Sequence, residues 1–107
     1  MSLPRVQLAV IWSGIESLFN VNTEFSFRIS LYISNLLIEN KTQAKDLFKQ
    51  VRKMYSLRST AVHGNKAKDN LAGAVEESAA LLNRILRRCA ELNCLPDVDN
   101  LVFEAGV

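Results

Sequence analysis

In the stretch MYSLRSTAVHGNK, residues 54–66, two side chains have the types and spacing to act on a phosphodiester. They are Arg58 and, five positions later, His63, the only histidine in the chain. An imidazole is the side chain that most readily gives and takes a proton near neutral pH. A guanidinium is planar and grips phosphate through two parallel hydrogen bonds. Together they suit RNA cleavage by the substrate's own 2′-hydroxyl. The histidine would move a proton, and the arginine would stabilise the negative charge that grows on phosphate. The plainer alternative is a histidine that ends a helix and an arginine held in a salt bridge.

The surroundings add positive charge. Residues 41–68 hold eight basic side chains, Lys41, Lys45, Lys49, Arg52, Lys53, Arg58, Lys66 and Lys68, against one acid, Asp46. That window carries +7; the rest has five basic and ten acidic residues, or −5, which together give the net +2 of the chain. A basic face attracts polyanions and makes nucleic acid a reasonable partner. Lys45, Lys49, Arg52, Lys53 and Lys66 are thus the candidates for contact with RNA, and a solvated helix face accounts for the same charges. Cys89 and Cys94, five positions apart, point to different faces of a helix. With a single histidine they suggest neither a disulfide framework nor a zinc site. No metal and no cofactor are expected.

These residues must be positioned by helices. The chain has 107 residues, 49% hydrophobic and 22% charged, enough for one domain, 1–107, with one core. It shows no strand alternation and no internal repeat. Four segments have helical spacing. The first runs from about Arg5 to Asn20, with Leu8, Ile11, Trp12, Ile15, Leu18 and Phe19 on one stripe. The second, from about Thr23 to Glu39 with Asn22 or Thr23 as cap, has Phe25, Ile29, Tyr32, Ile33, Leu36 and Leu37. Asn40 and Lys41 interrupt the pattern.

The third segment runs from about Thr42 to His63, kinked near Ser56, with Ala44, Leu47, Phe48, Val51, Met54 and Tyr55 inward and Lys45, Lys49, Arg52 and Lys53 opposite. Gly64 suits the position just past a helix end. The fourth, from about Lys68 to Asn93, buries Leu71, Val75, Leu82, Ile85, Leu86, Cys89 and Leu92, lets helices approach at Ala79 and Ala80, and stops at Pro96. The tail, 95–107, forms a short fifth helix through Leu101 and Phe103 or a frayed end. Short connections predict an all-α, up-and-down bundle of four to five helices. No apolar run approaches a membrane span and no signal peptide is evident, so an intracellular, cytoplasmic protein is expected.

On the helical wheel of the third segment, Arg58 falls on the same side as Leu47, Val51 and Met54. An arginine on an apolar stripe is costly unless something pairs with it. His63 would lie about 140° further round and about 7.5 Å along the axis on an unbroken helix. Convergence of the two then needs a bend or a second subunit.

Tyr55, Arg58, Ser59, His63 and Gly64 resemble the signature of the HEPN superfamily, most closely its Apea-like branch. The first helix, with Trp12, Glu16, Leu18 and Phe19 in IWSGIESLF, is similar to that branch's first helix, and EFSFRIS, Glu24 to Ser30, fits its second. The resemblance covers about residues 8–94. It implies a helical bundle that forms a homodimer, in which Arg58 and His63 are catalytic at a shared cleft, with Ser59 and Tyr55 in support. It implies RNA cleavage without metal, leaving a cyclic phosphate and a 5′-hydroxyl. Roles in phage defence, or as a toxin restrained by a nucleotidyltransferase-like antitoxin, go with the superfamily. So do non-catalytic modules that bind RNA, a nucleotide or a partner protein. Glu16 is expected to pair with Arg58 inside the bundle. Tyr55 and Trp12 are expected to pack in the core.

Overall fold

The computed structural model describes residues 3–19, 24–62, 71–99 and 101, and the side chains of 60–62 fall outside that description. Four helices make an all-α bundle: α1 (Leu3–Phe19), α2 (Phe25–Leu37), α3 (Lys41–Val62) and α4 (Leu71–Leu92). The described residues contain no strand. The radius of gyration is 13.7 Å, ordinary for a domain of this length.

Each helix contributes inward residues at steps of three and four. Leu8, Trp12, Ile15 and Phe19 come from α1; Ile29, Tyr32, Ile33 and Leu36 from α2; Leu47, Val51 and Tyr55 from α3; Leu81, Ile85 and Cys89 from α4. These stripes meet in one contiguous core. The three-residue link from Ile38 to Asn40 folds α3 back along α2, and Phe27 meets Phe48 across the pair. Ser30 and Ser34 are buried on α2, and each satisfies its hydroxyl locally. Ser30 donates to the Ser26 carbonyl (2.6 Å) and Ser34 to the Leu31 carbonyl (3.0 Å).

The helix ends differ from expectation in informative ways. The residue capping α2 is Glu24, not Asn22 or Thr23; it is left-handed (φ 50°, ψ 47°) and its side chain makes no capping bond. Asn40 is more than a break in the pattern. Its Oδ1 accepts from the backbone N–H groups of Thr42 (2.9 Å) and Gln43 (3.1 Å), which makes it the N-cap of α3. Helix α3 continues through Ser56 to Val62 as one element. At the end of α4, Asn93 is left-handed (φ 54°) and donates to the Ala90 carbonyl, while the Cys94 N–H reaches the Cys89 carbonyl at 3.1 Å. That paired geometry is a Schellman motif, so Asn93 ends the helix before Pro96. Arg88 Nε caps the end of α2 by donating to the Leu36 carbonyl at 3.2 Å.

The buried face of α4 has the expected phase, with Ile85 and Cys89 buried and Leu71, Val75 and Leu82 packed against the core; only its edges differ. Leu86 and Leu92 are exposed (47% and 46%), and Ala79 and Ala80 face outward. The small buried residue is Ser78, because its hydroxyl accepts from the indole N–H of Trp12 at 3.0 Å. Of the tail, Val98, Asp99 and Leu101 are helical. Leu101 is buried, and its carbonyl accepts from Asn35 Nδ2 at 3.3 Å. Phe103 lies outside the described residues. None of the described helices is long and apolar enough to cross a membrane.

Candidate active site

Arg58 is on the penultimate turn of α3 and points into the bundle, with its side chain only 18% exposed. The stripe that carries Leu47, Val51 and Met54 aims it there. Its partner is Glu16 of α1, whose Oε1 accepts from Arg58 Nη2 at 3.1 Å and whose own side chain is 20% exposed. The charge that the apolar stripe could not tolerate alone is matched within the same chain. Arg58 Nε is buried and has no hydrogen-bond partner among the described residues.

Tyr55, one turn earlier, lies under the guanidinium, with the Arg58 Cζ 5.3 Å from the ring centroid. Its ring meets Trp12 edge to face, with centroids 5.4 Å apart and planes at 87°. Trp12 and Glu16 are one turn apart on α1; Tyr55 and Arg58 are one turn apart on α3. The four side chains therefore form a cluster between two helices, anchored at its far edge by the Trp12–Ser78 hydrogen bond. Burial pushes the Tyr55 phenol above its usual range, the nearby Glu16 carboxylate adds to that, and Arg58 opposes it. The phenol stays neutral near pH 7 and serves as a packed support for the arginine. Ser59 is half-buried on the same turn of α3 as Arg58.

His63 and Lys66, with Gly64, lie outside the described residues. The remaining RNA-binding candidates, Lys45, Lys49, Arg52 and Lys53, are exposed on α3. Lys45 and Lys49 line a groove of about 430 Å³ between α2 and α3. Lys53 lines a smaller groove of about 280 Å³ between α3 and α4, beside Met54, Leu57 and Glu77. Arg52 rests its guanidinium 5.7 Å from the centre of the Phe48 ring. Arg58 lines neither groove.

Sequence reasoning assigned Phe48 to the core and did not weigh Phe27. Both belong to the α2–α3 surface, where the rings pair edge to face at 5.6 Å. The signal was available for Phe27, which stands two residues from both Phe25 and Ile29 and so falls off the inward stripe. Among the described residues no group of three His, Cys, Asp or Glu side chains is placed to hold a metal ion. Comparison of the chain with family models, with curated proteins and with solved structures gives no match.

Proposed function

We propose that this protein is a metal-independent endoribonuclease of the HEPN type, active as a homodimer, with Arg58 and His63 as its catalytic residues. The observation that supports this reading is the mounting of Arg58. The first of the two motif residues is held near the end of α3 by an acid and an aromatic ring, with its guanidinium orientation fixed in advance. Fixed donors stabilise a developing charge better than mobile ones, because no reorganisation is needed when the charge appears. In the reaction, the 2′-oxygen attacks the adjacent phosphorus and its proton passes to a base. The bond to the 5′-oxygen breaks, and that oxygen takes up a proton. The products are a 2′,3′-cyclic phosphate and a 5′-hydroxyl. His63 serves the proton transfers and Arg58 faces the phosphoryl oxygens.

The test is incubation of the purified protein with mixed RNA in EDTA, beside the Arg58→Ala, His63→Ala double variant. Products are sized and their ends assayed for cyclic phosphate. Cleavage by wild type and a loss of at least ~100-fold in the variant is the expected result. Equal cleavage by both removes these residues from the chemistry. In phage defence or as a toxin, the same activity would be held off by a partner such as a nucleotidyltransferase-like antitoxin.

One observation favours a second reading, a non-catalytic module that binds RNA, a nucleotide or a protein. Glu16 already occupies a donor of Arg58, and any phosphate must share or displace it. This reading predicts retained RNA binding without turnover in the same assay.

A further inference from the structure

The groove between α2 and α3 has a composition that the Arg58 site does not use. Phe27 is 46% exposed and meets Phe48 edge to face, at 5.6 Å and 79°. In such a pair, Phe48 leaves at least one face of the Phe27 ring uncovered. The other side of the aromatic pair is closed by Arg52 over Phe48, 5.7 Å from its centroid. Leu31 extends the floor, and Lys41, Lys45 and Lys49 make up the charged rim, with no acid in the lining. The lysines recur every four residues, so they stand in a row at steps of about 6 Å along the helix axis. Lys41 stands in the first turn of α3, which holds no acid, so the positive end of the helix dipole adds to the charge of the rim there.

We infer that this groove is a binding site for single-stranded nucleic acid, with a base stacked on Phe27 and the backbone tracked by Lys41, Lys45 and Lys49. Aromatic rings beside a line of cations are what sequence-tolerant strand binding requires, since every base has a flat π face and every link a charge. An amphipathic helix of an acidic partner fits less well. It needs an apolar seam several turns long, whereas the floor along α2 spans one turn from Phe27 to Leu31. The site extends the ribonuclease reading by supplying a place to hold the strand, yet it needs neither Arg58 nor His63 for binding.

The experiment measures binding of a fluorescent 2′-O-methyl oligonucleotide of ~10 nucleotides, which cannot be cut by its own 2′-hydroxyl. Fluorescence anisotropy is followed across a salt series on the full chain. Wild type should bind, and Phe27→Ala should bind about tenfold more weakly, with Phe27→Trp restoring affinity. Phe27 is half exposed, so circular dichroism should show all variants folded. Lys45→Gln with Lys49→Gln should reduce the salt slope by about 1.4, some 0.7 per lysine. An abasic strand of equal charge should bind about tenfold more weakly than the strand with bases. Equal binding of the abasic strand, no effect of Phe27→Ala, no binding by wild type, or tighter binding of a glutamate-rich peptide would each overturn the inference. Because the 2′-O-methyl strand cannot be cleaved, the assay reads the stacking site alone, and its failure stays separate from failure of the cleavage reading.

Discussion

At the scale of single residues, the Glu16–Arg58 pair decides how the candidate site can be probed. Both side chains are about four-fifths covered, so the pair lies between an exposed ion pair, worth ~0–1 kcal/mol, and a fully buried one. Removing one charge strands the other, which costs more than replacing both. Glu16→Gln should therefore destabilise the fold by about 1–3 kcal/mol, and Glu16→Gln with Arg58→Met by less than Glu16→Gln alone. Urea unfolding followed by circular dichroism measures both; a double variant less stable than Glu16→Gln alone would contradict the pairing argument. Tyr55 supplies a second probe. Its folded value is raised above 10.0, chiefly by burial, so the native state keeps a proton that the unfolded chain gives up first. That contribution is complete below pH 10.0 and is lost as pH climbs through the raised folded value. Burial likewise raises the Cys89 thiol above 9.0, and its share of the loss begins a unit earlier. Urea midpoints should fall between pH 7 and about 10.5. Tyr55→Phe should shrink the part of that fall above pH 10.0, leaving the Cys89 part in place.

At the scale of elements, the residues that start α3 and α2 carry opposite lessons. Asn40 ties down two backbone donors of α3, and Asn40→Ala should cost about 1 kcal/mol. Glu24 enters α2 through a left-handed conformation that suits glycine, and its side chain caps nothing. Glu24→Gly should leave stability unchanged or raise it by about 0.5–1 kcal/mol, readable as a higher melting temperature. The four helices were legible from the three-and-four spacing of their apolar residues, because that spacing is what burial against a single core demands. Their ends were less so. Asn40 looks the same in a sequence whether it breaks a helix or starts one, and only its side-chain oxygen over the first turn decides. The phase of α4 was legible, but the width of its buried stripe was not: Leu86 and Leu92 at its edges are exposed, and the burial of Ser78 depends on an indole 66 residues away. In the candidate site, the need for a partner at Arg58 could be read from its place on an apolar stripe, and Glu16 answered it. Which groove each lysine edges could not be read, because that depends on how α2 and α4 pack on either side of α3.

At the scale of the whole molecule, the one core makes the two cysteines reporters of different events. Cys89 belongs to the buried cluster at 8% exposure, and its carbonyl is tied into the turn that ends α4. Cys94, five residues on, is exposed. Only the thiolate reacts with an alkylating agent, and burial both raises the Cys89 thiol and blocks the approach of reagent. Iodoacetamide at pH 8 should label Cys94 quickly, and peptide mass spectrometry should find Cys89 unmodified over the same time. The residual labelling of Cys89 then measures opening. The buried cluster it belongs to is drawn from all four helices, so exposing it means separating helices rather than fraying one end. For a domain of this size such opening is rare, by a factor on the order of 10³ or more. Addition of urea should raise Cys89 labelling along the same curve as the loss of helix, since a two-state domain has no intermediate in which α4 alone has left. A Cys89 rate close to that of Cys94 in native buffer would mean that the last turns of α4 detach independently, with Arg88 and its hold on the end of α2 detaching too.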